Sequence, residues 1–367
     1  LHLLSRRQRQ MCIRDSYNGV PAHTVTILDG IRSALGKGDK LIYEQGCPWV
    51  GDDLLESVFC ECKSEGRPGF TARYWNNVNH EGKVDVETRV ITPFNFCTSG
   101  ATVFAPGVNL TDFSATYNAT YVPKTSGEVV FEVYSFGKGR LLVNQKEAMS
   151  FYNSHGGNKQ SYALQVEAGK KYDIELQFEY LQSDAQLNFD MGFKKKVDIA
   201  KSVNAVRNAD VVVFVGGISP SLEGEEMGVD LPGFKKGDRT SIELPEVQRN
   251  LLAALHRAGK KVILVNCSGS PIGLVPETET CEAILQAWYP GQQGGRAVAD
   301  VLFGDYNPAG RLPVTFYRNI EQLPDFEDYN MAGRTYRFMK ERPLFPFGYG
   351  SVSYTHLRAH ETDSYLV

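Results

Sequence analysis

The chain has 367 residues, 42% hydrophobic and 22% charged, with a net charge of −4. Those proportions fit a soluble globular protein of two or three domains and exclude disordered and fibrous classes. The mild acidity argues against nucleic acid as the main partner, no apolar run reaches the roughly 18 residues of a membrane span, and seven cysteines are too sparse for a disulfide scaffold. Cys60-Glu61-Cys62 is too close for a zinc-type pair, and His23, His80, His155 and His256 lack metal-ligand partners at helical spacing, so no metal is expected.

The ends are expected not to belong to the fold. Residues 1–16 are strongly basic. Met11 to Asp15 can be coded ATG TGT ATA AGA GAC, whose reverse complement translates as Val-Ser-Tyr-Thr-His, the residues Val352 to His356. The tails also resemble translated transposon adapters from DNA library preparation. Residues 1–16 and 351–367 are therefore read as non-native tails, leaving Tyr17–Gly350.

In chain order, Thr26 caps a helix carrying Leu28, Ile31 and Leu35 on one face, with Gly36 stopping it. Lys40–Tyr43 reads as a short strand. Between about Glu65 and Lys196 the period drops to two: Ile174, Leu176, Phe178 and Tyr180 alternate with charged or amide residues, and Leu187, Phe189, Met191 and Phe193 alternate with Asn188, Asp190 and Gly192. Turn signals at Ser126-Gly127, Gly137 and Gly169-Lys170 separate the runs, a β-sandwich pattern. From Val197 helices and strands alternate: a helix marked by Ile199, Val203 and Val206, the apolar strand Val211–Val215, a helix from Pro245 to Gly259, strands Val262–Val265 and Ala283–Trp288, and a helix Arg296–Leu302 ended by Gly304. Such alternation implies a mostly parallel sheet with helices on both sides. The expected fold is thus a three-layer αβα sandwich, residues 17–64 and 197–350, interrupted by an antiparallel β-sandwich at 65–196.

The chemistry signal is the loop after Val211–Val215, which holds Glu223-Gly224-Glu225-Glu226. In open α/β sheets ligands bind outside the carboxyl ends of the strands, where this loop lies. Crowded carboxylates raise one another's pKa, which is what a general acid needs; a merely solvated acidic loop is the competing reading. Gly216-Gly217 lacks the spacing of a dinucleotide fingerprint.

LEGEEMGVDLPGFKKGDRTSIELPEVQRNLLAAL (Leu222–Leu255), AWYPGQQGGRAVADVLFGDYNPAGRLPVTFY (Ala287–Tyr317), and GRTYRF with PLFPFGYG (Gly333–Gly350) resemble glycoside hydrolase family three. YNGVPAHTVTILDGI (Tyr17–Ile31) and LIYEQGC (Leu41–Cys47) resemble the start of the same α/β domain. The segment with GFTARYWNN (Gly69–Asn77) is similar to the protective-antigen-type β-sandwich, found as an insertion in some members. The resemblance implies an exo-acting, retaining β-glucosidase or β-xylosidase without cofactor, acting on oligosaccharides or glycosides. It implies Glu225 as general acid/base, with Glu223 and Glu226 as competitors. The nucleophilic aspartate would lie on a TIM barrel preceding this domain, and a fibronectin-type domain would follow, so the chain alone is expected to be inactive. Trp288 and Tyr289, at a strand end, are candidate substrate contacts, as is Trp75 in the insert, although packing explains aromatics in each place. Gly237-Asp238-Arg239 reads as a structural ion pair or cap. Phe136-Gly137 stands where some protective-antigen-type lectins place calcium-binding aspartates, so calcium is not expected. Export to the periplasm or beyond is the expected location, and a non-catalytic carbohydrate-binding role of the insert is the alternative function.

Overall fold

A computed structural model describes residues 24–351, apart from 99–100, 182–183, 224–228 and 326 and the side chains of 155–158. Most of both proposed tails, together with Glu225 and Glu226, therefore lies outside the described residues. The chain forms two compact units, Asp53–Lys196 and the sequence on either side of it. No helix among the described residues is long and apolar enough to cross a membrane.

The first element is helix α1, Ile27–Ala34. Thr26 Oγ1 accepts the Asp29 N–H at 3.1 Å while the Asp29 carboxylate reaches back to Thr26 N at 3.4 Å, a reciprocal cap that satisfies the exposed first turn. Ile27, Leu28 and Ile31 are buried. The helix ends before Leu35, whose extended backbone leads into Gly36. Among the described residues, the strand expected at Lys40–Tyr43 is not present as a ladder, and Glu44 forms an isolated bridge. The segment still alternates sides like a strand, with Leu41 and Tyr43 in one apolar core and Ile42 in another.

The unit Asp53–Lys196 is entirely antiparallel. Its strands are β1 (Asp53–Ser57), β2 (Lys63–Ser64), β3 (Arg67–Pro68), β4 (Phe70–Trp75), β5 (Val86–Val90), β6 (Phe94–Cys97), β7 (Ser114–Tyr121), β8 (Gly127–Val143), β9 (Lys146–Val166), β10 (Tyr172–Glu179) and β11 (Gln186–Lys196). They join into one sheet in the order β1-β11-β8-β10-β7-β2-β3, with β4 on β7, β5 on β4, β6 on β11 and β9 on β8. The sequence suggested two facing sheets. The observed ladder is continuous and curls around a single core, because the long β8–β9 pair is broken by register shifts near Ser135/Gly137 and Leu141/Leu142 that let it bend. Gly137 permits the first bend: its φ is +148°, and a Cβ there would sit 2.4 Å from the Phe178 ring. The period-two reading holds residue by residue, since Ile174, Leu176, Phe178, Tyr180, Leu187, Phe189 and Met191 are all buried. Residues 53–64, read from sequence with the α/β part, belong to this unit because β1 pairs with β11 from Asp53↔Lys196 to Ser57↔Gly192.

The other unit resumes with α2 (Ile199–Ala205), β12 (Val211–Gly217), three two-residue strands β13 (Asp230–Leu231), β14 (Phe234–Lys235) and β15 (Asp238–Arg239), α3 (Glu246–Arg257), β16 (Lys261–Cys267), α4 (Glu277–Thr280), β17 (Ala283–Gln286) and α5 (Gly294–Phe303). Strands β12, β16 and β17 form a parallel sheet with β16 in the centre. Alternate residues of β12 enter different cores. Val212 and Phe214 pack with Leu251, Leu252 and Leu255 of α3, while Val213 and Val215 pack with Ile27, Leu28 and Ile31 of α1 and Val298 of α5. That two-sided burial is why the strand reads as an uninterrupted apolar run. Helix α5 closes with Gly304 in the left-handed conformation, φ +84°, as its sequence signal predicts. The fold as a whole is mixed, and the antiparallel sheet dominates it; the parallel sheet has three strands among the described residues.

Candidate active site

Three loops leave the carboxyl ends of β12, β16 and β17, and one carboxylate ties them together. Glu223, in the loop after β12, accepts the Gly269 N–H at 3.0 Å and the Ser270 hydroxyl at 2.8 Å, both from the loop after β16. It also accepts the Tyr289 hydroxyl from the loop after β17. Trp288, just before Tyr289, has φ +54°, a left-handed turn unusual for a bulky residue, and its ring packs edge-on against Phe316 at 6.1 Å.

Gly269 is required by this approach. A Cβ there would lie 2.7 Å from Glu223 Oε1 and 2.7 Å from Tyr289 Cε2. Behind it, Arg239 donates to Ser270 Oγ at 3.1 Å, to the Ser241 carbonyl at 3.1 Å, to the Pro271 carbonyl at 3.0 Å and to the Glu243 carbonyl at 3.4 Å. Burial pulls its guanidinium pKa down, and the charges of Glu223, Tyr289 and Glu243 oppose that shift. The Gly-Asp-Arg segment was expected to make an ion pair or cap; Arg239 instead clamps loop carbonyls and a serine. Its neighbour Arg249 carries the ion pairs, to Glu243 at 3.0 Å and to the buried Glu277 at 2.9 Å.

The double glycine ending β12 serves close packing. Gly217 has φ +117°, and a Cβ on it would fall 2.0 Å from the Cys267 carbonyl oxygen. The buried Gln248 of α3 accepts the Gly217 N–H at 2.8 Å and donates to the Gly217 carbonyl at 2.7 Å and the Trp49 carbonyl at 2.8 Å, fixing the end from which the acidic loop departs.

Of the sequence candidates, the structure thus brings Glu223, Trp288 and Tyr289 to one strand edge. Glu225 and Glu226 lie outside the described residues. Trp75 lies on β4 in the other unit, half-buried, with its indole N–H donating to the Gly82 carbonyl at 3.3 Å and its ring edge-on to His80 at 5.3 Å. Sequence reasoning missed Gly269, Ser270, Arg239 and Gln248 as parts of this arrangement. The one available signal was Ser268-Gly269-Ser270 directly after an apolar strand; nothing in it names Glu223 as the partner across 46 residues of chain.

Comparison with known proteins identifies the family. Residues 6–354 match the family described as the glycosyl hydrolase family 3 C-terminal domain. The chain is 49% identical over 344 residues to a xylan 1,4-β-xylosidase of Xylanibacter ruminicola, covering 93% of this chain and 39% of that protein. It is 41% identical over 169 residues to a periplasmic β-glucosidase of Salmonella typhimurium, covering 43% of this chain and 21% of that protein. A solved β-glucosidase of Kluyveromyces marxianus in complex with glucose shares the fold, with a TM-score of 0.64 at 21% identity over 96% of this chain and 44% of the other. The chain therefore spans less than half the length of these relatives. The chain belongs to glycosyl hydrolase family 3, matching its C-terminal domain over nearly its whole length.

Proposed function

We propose that this chain is the part of a retaining, exo-acting β-glycosidase that supplies the general acid/base carboxylate, and that Glu225 is that group. The observation that carries the reading is the convergence of three loops at the carboxyl ends of β12, β16 and β17, from which the acidic loop departs. Glu223 already has both oxygens engaged by protein donors, which favours its neighbours for proton transfer. Glu225 is preferred to Glu226 because, in the resemblance to the family, it is the better match to the acid/base glutamate.

In the proposed reaction an aspartate attacks the anomeric carbon while Glu225 protonates the departing glycosidic oxygen. Glu225 then deprotonates the water that releases the sugar. Retention places the two carboxyls about 5–5.5 Å apart. The aspartate is assigned to a TIM-barrel domain of the whole enzyme, outside this sequence, and a fibronectin-type domain to its other side. The relatives' names support terminal β-linked xylose or glucose as the sugar released. The α/β unit is read as the family's three-layer αβα sandwich, and Asp53–Lys196 as an inserted protective-antigen-type domain. Trp288 is assigned to the sugar-facing edge. A periplasmic or extracellular location is proposed for the whole enzyme.

The test is made in the full-length enzyme. Glu225→Ala should lower kcat on β-1,4-xylobiose or cellobiose about 10²–10⁴-fold, with a smaller loss on dinitrophenyl glycosides, which need no protonation. Azide should restore turnover of the activated substrate and give a β-glycosyl azide. Unchanged turnover by Glu225→Ala, or hydrolysis by the purified 367-residue chain alone, would overturn the assignment.

A further inference from the structure

We propose that Glu223 is a positioning residue for the acid/base, acting through a latch it forms with Gly269, Ser270 and Tyr289; the inference rests on the reading of Glu225 given above. The latch joins three loops: Glu223 follows β12, Gly269 and Ser270 follow β16, and Tyr289 follows β17. The Gly269 N–H, the Ser270 hydroxyl and the Tyr289 hydroxyl all end on one carboxylate. Its geometry is built into the fold at several points. Gly269 has no room for a Cβ beside Glu223 and Tyr289, and Trp288 takes a left-handed turn immediately before Tyr289. Ser270 Oγ donates to Glu223 and accepts from Arg239, so the hydroxyl's orientation is fixed from both sides.

A carboxylate bound this way serves poorly as a proton donor to a leaving group, because each of its oxygens already accepts from the protein. It serves well as a tether. Glu223 stands two residues before Glu225 and holds one end of the acidic loop against the other two. A shift of about 1 Å in a catalytic group can cost on the order of 10²-fold in rate, so such a tether belongs to the catalytic geometry even without touching substrate. The charge matters as well. Among the described residues the charged or titratable groups facing Glu223 are Arg239 and the Tyr289 phenol, and along the chain its neighbours are Glu225 and Glu226. By the proposal, removing the Glu223 carboxylate takes away a like charge two residues along the chain from the acid/base, and like charges raise an acid's pKa.

The test compares Glu223→Gln, Tyr289→Phe and Glu225→Ala in the full-length enzyme, using cellobiose or xylobiose against a dinitrophenyl glycoside. Glu223→Gln should reduce kcat on the disaccharide about 10–100-fold, by the positioning argument, with little change in KM. The basic limb of its kcat/KM profile should move to lower pH, and azide should not rescue it. Tyr289→Phe should lose activity in the same direction and by less, with the basic limb nearly unmoved because the charge remains. Azide rescue of Glu223→Gln would make Glu223 itself the acid/base and overturn the proposal. A Glu223→Gln enzyme with an unchanged pH profile and proportional losses on both substrates would reduce Glu223 to a folding role and overturn it equally. If Glu225→Ala shows no loss, the parent reading fails, whatever Glu223→Gln does.

Discussion

Trp288 shows how a single residue carries the cost of a site. An L-residue in the left-handed region is strained by roughly 1–2 kcal/mol, and the surrounding packing, here Phe316, must hold it there. The cysteines differ among themselves for a similar reason of environment. Cys60 is exposed, whereas burial pushes the Cys281 thiol up to about 11, the Cys47 thiol up to about 12 and the Cys62 thiol higher still. Iodoacetamide at pH 8 should therefore label Cys60 rapidly and leave Cys47, Cys62 and Cys281 unmodified until the chain unfolds, as read by mass spectrometry of tryptic peptides. Raised thiol pKa values also fix a pH dependence. An unfolded thiol ionises near 9.0, so these buried thiols support the fold at neutral pH, and that support fades as pH climbs from there toward 11–12.

At the scale of elements, the junction of α1 and α5 depends on two glycines. A Cβ on Gly30 would fall 2.0 Å from the Gly295 carbonyl oxygen, and one on Gly295 would fall 2.0 Å from the Thr26 carbonyl oxygen. The backbones meet closely enough for Val25 N–H to bond Gln292 O, and Gly295 N–H to bond Val25 O, both at 3.0 Å. Gly30→Ala should destabilise the chain by about 1–3 kcal/mol in urea unfolding, although alanine is the better helix former, because neither backbone can retreat without breaking those bonds. An increase in stability would show that the two helices can separate without cost. On the opposite face, Arg249 joins α3 to Glu243 and Glu277, so both sides of the parallel sheet are fastened near the strand ends that carry the candidate site.

At the scale of the whole molecule, an antiparallel domain interrupts another fold without breaking it because its ends meet. Asp53 pairs with Lys196, and one residue outward Val197 N–H bonds the Asp52 carbonyl at 2.7 Å. The core of Asp53–Lys196 is drawn from its own residues, with Phe59, Phe70, Phe94 and Phe189 in mutual ring contact. Its ~140 residues are enough for a domain. The segment expressed alone should therefore unfold cooperatively, with coincident far-UV and near-UV transitions. A molten species without near-UV signal would show that it depends on the flanking unit. The same preparation tests Trp75: oligosaccharide binding abolished by Trp75→Ala would establish the non-catalytic role for that unit.

What local sequence determined is what local physics controls. The cap at Thr26, the helix stop at Gly304, the period-two alternation of β10 and β11 and the two-sided apolar run of β12 are all read correctly because each depends on near neighbours. Residues 40–43 form no ladder among the described residues, and a strand depends on a partner that the segment itself does not specify. The single curled sheet in place of two facing ones has the same origin: inward and outward positions are set by alternation, but closure is set by bulges and register in a distant hairpin. The site divides in the same way. An acidic loop at a strand end could be read from the residues alone, and so could the family. That Glu223 is bound by Gly269, Ser270 and Tyr289 could not, because the carboxylate and its donors come from three loops that meet only when β12, β16 and β17 lie side by side.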